Sequence, residues 1–100
     1  MATIVDIEKY RKEIEAAKAA EWKRMGYTHS PAPTYEMKEG KKFVKIIEVG
    51  QGGFRHVHCF VDFEGNIYKP ASFNKPAKGI RGNINNEKKP LLCGEYYKVR

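Results

Sequence analysis

"KKFVKIIEVGQGGFRHVHCFVDF", residues 41–63, holds two apolar, β-branched runs on either side of three glycines. The first run, 41–49, is rich in Phe, Val and Ile, residue types that fit a pleated, half-buried surface. The second, 54–63, alternates with period two. On a regular strand that period sends Val57, Cys59, Val61 and Phe63 to one face and Phe54, His56, His58 and Phe60 to the other. Both runs are short, and the glycine-rich "GQGG" (50–53) between them reads as a turn. An antiparallel pair of strands is therefore the expected nucleus of the fold.

Downstream, "DFEGN" (62–66) reads as a second turn and "IYKPA" (67–71) as a short third strand. Pro70 has no N–H for a ladder, so it ends that strand or holds it at an edge. The Leu, Tyr and Val of "LLCGEYYKVR" (91–100) suggest a last strand returning to the sheet. Upstream, Thr3 followed by Asp6 forms a capping-box pattern and Gly26 is placed as a C-terminal stop, so residues 3–26 read as one long helix. Ile7, Tyr10, Ile14, Ala17 and Met25 fall near one helical face with Ile4 and Trp22 at its edge, but Arg11, Lys18 and Glu21 interrupt the stripe. Residues 27–40, with prolines at 31 and 33, read as a connecting loop. The expected architecture is an α+β domain: a long N-terminal helix packed on a small, three- to four-stranded antiparallel sheet that carries a long basic loop over residues 69–90. At 100 residues, 1–100 is one domain with a modest core.

Charge is placed unevenly along that chain. It has 19 Lys and Arg against 12 Asp and Glu, net +7. Residues 1–40 carry seven of each sign, and residues 41–100 carry twelve basic and five acidic, so the whole excess lies in the sheet and loop. Fixed positive potential concentrates anions, which points to nucleic acid, nucleotides or another polyanion as partner. No apolar run approaches the roughly 20 residues that span a bilayer, so no membrane association is expected. Cys59 and Cys93 lie in a chain with no secretory signal pattern, which reads as reduced thiols in a cytoplasm.

The basic loop is the first candidate site. From Gly65 to Asn86 there is no carboxylate, while Lys69, Lys75, Lys78 and Arg81 recur along it. Gly79 and Gly82 bracket Ile80 and Arg81, letting backbone N–H groups turn toward one anion beside the Arg81 fork and Asn83. The competing reading is a well-ordered surface loop kept soluble by its lysines, and neither GxxxxGK[ST] nor GxGxxG is present. The second candidate is "FRHVHCF" (54–60), where His58, Phe60 and the neighbouring Arg55 offer a stacking and cationic surface, joined by Phe73 from the loop. The competing reading there is the covered second face of a small sheet. His56 and His58 form an HxH pair that needs a third, distant ligand such as His29 to hold a metal, so no metal or cofactor is expected. Cys59 and the histidines point to opposite faces on a regular strand, and no third group orients them, so catalysis is not expected.

"VHCFVDFEGNIYKPASFNKPAKGIRGNI" (57–84) resembles a class of small, mostly uncharacterised proteins encoded by tailed bacteriophages. Those proteins carry a strand, an acid-to-glycine turn and a K-[PA]-A-S-[WF]-x-x-PAKG-x-RGNI stretch, matched here from Lys69 to Ile84. The resemblance implies a phage accessory protein in a bacterial cytoplasm or virion, and no established activity. Three functions remain open: a nucleic-acid binder, a sequesterer of a small nucleotide signal, or an inhibitor or scaffold that meets a host or virion protein through the N-terminal helix. Self-association through that helix is compatible with the third.

Overall fold

Helix α1 (Ile4–Arg24) begins at the Thr3 cap. The Asp6 N–H donates to Thr3 Oγ1 at 3.3 Å and the Thr3 N–H returns to the Asp6 carboxylate at 2.9 Å. Those bonds from Thr3 hold the Asp6 carboxyl below its ordinary pKa. Gly26, at φ 80, takes the left-handed conformation that terminates the helix. The computed structural model describes residues 3–26, 31–87 and 89–91.

The helix buries Ile7, Tyr10 and Ile14 completely against the sheet, each such aliphatic side chain being worth about 1.5–3 kcal/mol of transfer free energy. The stripe ends there: Met25 is exposed and Trp22 half-buried. Its polar interruptions have work of their own. Arg11 Nη1 donates to the Tyr35 carbonyl at 3.0 Å and Glu15 accepts the Tyr35 N–H at 2.9 Å. Lys18 pairs with Glu21 at 3.2 Å and lies over the Trp22 ring.

Tyr35 belongs to a strand where a connecting loop was expected. Strand β1 (Thr34–Glu39) pairs antiparallel with β2 (Phe43–Val49), Lys38 lying opposite Lys45 and Tyr35 opposite Glu48. The prolines at 31 and 33 precede it and leave its ladder intact. Tyr35 and Met37 point to the helix while Thr34, Glu36 and Lys38 point away, a polar-rich alternation with little β-branched content. As the sheet's edge, β1 exposes backbone groups to intermolecular pairing, and the Arg11 and Glu15 side chains occupy those of Tyr35.

Strand β3 (Arg55–Asp62) joins β2 through a single turn of 3-10 helix (Gln51–Gly53), β4 (Asn66–Tyr68) pairs with β3, and β7 (Gly82–Asn83) pairs with β4. Among the described residues the sheet order is β1-β2-β3-β4-β7, so the antiparallel sheet has five strands rather than three or four. Strands β5 (Pro70–Ser72) and β6 (Lys75–Pro76) form a separate hairpin. Expected strand residues 92–100, with Cys93, lie outside the described residues, as does His29.

The expected faces of β3 are rearranged by a bulge. Ile46 lies opposite Cys59 but Ile47 lies opposite Val57, so His58 is the extra residue. Below that point the period resets. His56 is carried to the helix side, where it lies opposite Glu48, His58 meets Tyr35 on that side, and Val57 joins Phe60 on the outer side. Cys59 and Val61 keep the shared face expected of them, and it is the helix side.

Residues 69–87 are knitted rather than loose. The Ala77 N–H donates to the Lys69 carbonyl at 2.8 Å, the Arg81 N–H to the Ile67 carbonyl at 2.6 Å, and the Ile84 N–H to the Gly65 carbonyl at 2.9 Å. At the turn before β4 the Asp62 carboxylate accepts from the Glu64 N–H, the Asn66 N–H and the Tyr68 hydroxyl at 2.8–2.9 Å. Segment 89–91 is tied to the helix: Tyr10 donates to the Pro90 carbonyl and Lys89 pairs with Glu13 at 3.2 Å.

Candidate functional site

The outer face of the sheet, away from α1, carries the richest cluster of cations and aromatic rings. Cross-strand pairing sets Lys38, Lys45, Phe60 and Tyr68 in one row across β1 to β4. Phe43, on the same face of β2, meets Phe60 and Tyr68 edge-on at ring-centroid distances of 6.1 and 5.4 Å. Above this floor the β1–β2 turn contributes Lys41 and Lys42 and the hairpin tip contributes Asn74. Together they enclose a cleft of about 240 Å³ with Lys38, Lys45 and Phe43. Four lysines line it against one acidic residue, Glu39.

Like charges placed opposite one another destabilise a sheet. Lys38 and Lys45 occupy such a pair, and none of the four lysines forms an ion pair with a described carboxylate. Burial, and secondarily the Lys38 charge, pushes the Lys45 amine below its ordinary pKa. Its Nζ donates to Asn74 Oδ1 at 3.1 Å and stands 4.1 Å from the centroid of the Phe73 ring. An anion entering here would relieve the repulsion that the fold leaves uncompensated.

The sequence-derived candidates divide on this geometry. Lys75 and Lys78 are exposed, Lys69 is half-buried, and Phe73 is 48% exposed at the hairpin tip. Arg55 lies on the outer face in an ion pair with Glu36. His58 and Phe60 are 2% and 3% exposed, which closes both rings to a stacking base. His58 instead donates from Nε2 to the Leu91 carbonyl at 2.9 Å and sits edge-on to Tyr35. Its burial pushes the ring's pKa down, against the opposing pull of the Leu91 carbonyl and Glu48.

The expected phosphate nest around Gly79 and Gly82 is corrected in the same way. The Arg81 N–H is committed to the Ile67 carbonyl, and the Arg81 side chain is half-buried. Gly82 is needed for packing, because a Cβ there would stand 2.8 Å from Pro90 Cδ. The Asn83 amide is spent on the Glu64 carbonyl and Asn66, at 3.2 and 3.1 Å. Gly79 alone keeps the open, left-handed backbone that a nest requires, at φ 98.

The residues missed from sequence are Lys38, Lys41, Lys42, Lys45, Phe43 and Asn74. The signal was present in "KEGKKFVK" (38–45), four lysines within eight residues. Reading this run as a strand start preceded by a loop hid that a hairpin folds the lysines together.

As for other chemistry, His56 reaches Glu48 Oε2 at 3.4 Å and His58 turns to Leu91, so the HxH pair is divided between two tasks. Among the described residues no group of three His, Cys, Asp or Glu is placed to hold a metal ion. Among them too, no helix is long and apolar enough to cross a membrane.

Fold and surface together define an α+β protein whose helix covers one face of an antiparallel sheet and whose other face carries a lysine-lined aromatic cleft. The chain belongs to a family of unknown function, DUF7717, whose model matches residues 2–96. No curated protein and no solved structure matches it.

Proposed function

We propose that the protein binds phosphate-bearing partners, nucleic acid foremost, through the outer face of its sheet, without catalysing a reaction on them. The observation that carries this is the cleft in which Lys38, Lys41, Lys42 and Lys45 converge over an aromatic floor with no described carboxylate paired to them. Lysines so placed release counterions when they meet phosphates, and that release supplies most of the affinity of a sequence-independent binder. Lys75 and Lys78, exposed in the basic segment, extend the field around the cleft. The resemblance of residues 57–84 to tailed-bacteriophage proteins supports a phage-type accessory role in the bacterial cytoplasm.

Two other readings carry less. At about 240 Å³ the cleft is smaller than the roughly 300–1,000 Å³ typical of small-ligand pockets, which favours a phosphate and sugar of a longer strand over a sequestered nucleotide. Docking of a host protein along the helix asks for a continuous exposed apolar stripe. Ile7 is fully buried, while the exposed Ile4 and Val5 lie at one end and Met25 at the other of a helix about 31 Å long by its 1.5 Å rise.

Binding of a labelled 20-nucleotide DNA, followed by fluorescence anisotropy across a salt series, tests the reading. Four lysine–phosphate contacts give a log–log slope of about −3 to −4. The triple variant Lys41→Gln, Lys42→Gln, Lys45→Gln is expected to flatten that slope by about 2–3 and to lose at least tenfold in affinity at low salt. An affinity flat in salt, or unchanged in the variant, overturns the proposal.

A further inference from the structure

The hairpin that borders the lysine cleft also borders a second one. Ser72 lies opposite Lys75 in the β5–β6 pair, which leaves Phe73 and Asn74 as a two-residue tip. Asn74 lines the lysine cleft of about 240 Å³, while Phe73 lines another of about 300 Å³ together with Arg55 and Ser72. The tip therefore stands as a ridge between two concave, cation-bearing surfaces. Lys45 joins them: its Nζ donates to Asn74 at 3.1 Å and stands 4.1 Å from the Phe73 centroid. One face of the ring is thus occupied by a cation, and the ring is still 48% exposed.

An exposed aromatic ring between two cationic hollows suits one kind of polyanion better than others. In a duplex the bases stack on one another and present only their edges in the grooves, so a protein ring finds no base face to cover. In a single strand each base can leave its neighbours and lie on an aromatic ring, a contact worth about 1–3 kcal/mol and tolerant of sequence. The phosphates on either side of that base then fall toward the flanking cations. Hollows of a few hundred cubic ångströms admit a phosphate and sugar but not a rigid double helix.

Resting on the nucleic-acid reading above, we infer that this face takes a single strand, led across the β5–β6 tip with one base stacked on Phe73 and its neighbouring phosphates held in the two clefts, by Lys41, Lys42 and Lys45 on one side and, on the other, by Arg55 in exchange for part of its exposed pair with Glu36. The site spans few nucleotides, so affinity for oligothymidylate rises steeply over the first four to six residues and then only with the number of overlapping positions.

The full-length protein is titrated against fluorescein-labelled dT12 and a 12-base-pair duplex at the same salt. The expected result is at least tenfold tighter binding of dT12. Phe73→Ala lowers dT12 affinity about 5- to 150-fold, the range that 1–3 kcal/mol of stacking implies, and leaves the weak duplex binding unchanged. Phe73→Trp restores the affinity for dT12. Circular dichroism checks that both variants fold, as the exposed tip position favours. Duplex binding equal to or tighter than dT12 overturns the single-strand inference and leaves the nucleic-acid reading standing. Tight dT12 binding that is indifferent to Phe73→Ala overturns the stacking ridge. Failure to bind either probe, with or without low salt, brings down the nucleic-acid reading itself.

Discussion

The two faces of the sheet handle charge in opposite ways. On the helix side the polar groups around Tyr35 are matched: Tyr35 donates to Glu48 at 2.7 Å, His56 reaches the other Glu48 oxygen at 3.4 Å, and Arg11 and Glu15 occupy the Tyr35 backbone. On the outer side Lys38 faces Lys45 and four lysines crowd one cleft with a single acid on its wall. Desolvating an unmatched polar group is costly, so the packed face must be self-consistent. The outer face tolerates repulsion because water screens it, and that leaves it attractive to anions. Stability and the proposed binding thereby fall on different sides of one sheet.

This division breaks most visibly if a helix-side change alters binding. Ile14→Ala is expected to cost about 2–5 kcal/mol in urea denaturation through the cavity it leaves beneath α1, since Ile14 is fully buried. Affinity per folded molecule should stay as it was, and a parallel loss of affinity would join the two faces that the structure separates.

Gly82→Ala sharpens the comparison at the seam between them. The new Cβ forces Pro90 aside, and a loss of about 1–3 kcal/mol is expected, read as a lower Tm. If Gly82 served a phosphate nest instead, alanine would weaken DNA binding and leave Tm in place.

Just below neutrality, His58 makes stability depend on pH. Its pKa is depressed in the folded protein, chiefly by burial, so below the ordinary value of 6.5 the unfolded chain takes up the proton that the folded chain resists. Stability is therefore full above about pH 7 and falls as pH drops below 6.5, at no more than about 1.4 kcal/mol per pH unit for one proton. His58→Gln, which keeps a donor near the Leu91 carbonyl, should flatten that arm of the curve. A pH profile identical in both proteins would place the titration elsewhere.

The smallest expected effect is on the outer side. Glu36→Gln removes the carboxylate that pairs with Arg55, and because both partners are about half exposed the pair itself is worth at most about 1 kcal/mol. Stability should barely move, while DNA affinity rises two- to fivefold as Arg55 becomes available. A fall in affinity would mean that the pair positions Arg55 rather than restrains it.

Much of the fold was legible because its signals are local. Thr3, Asp6 and Gly26 mark both ends of the helix, and the β-branched runs about "GQGG" mark the β2–β3 pair. Strand β1 was missed because "TYEMKE" carries its apolar residues only at Tyr35 and Met37 and comes after two prolines. The β3 faces were misassigned because a bulge is a property of two strands together: the alternation of 54–63 is regular as written, and only the pairing with Ile46 and Ile47 reveals that one residue is extra.

The candidate site was legible as chemistry and illegible as a place. The cation excess beyond residue 40 and the acid-free stretch from Gly65 to Asn86 were plain in the sequence. His58, Phe60, Arg81, Gly82 and Asn83, however, proved to serve packing and turns, while the lysines of "KEGKKFVK" proved to be gathered around a cleft. Periodicity, capping and net charge are properties of the chain as written, so the amino-acid sequence by itself determined the helix, the central strand pair and the positive excess beyond residue 40. Which cations share a hollow, which aromatic ring stays open to solvent and which glycine has a proline against it depend on segments distant in the chain being brought together. Only the tertiary structure decided those, because burial and proximity are set by packing and not by composition.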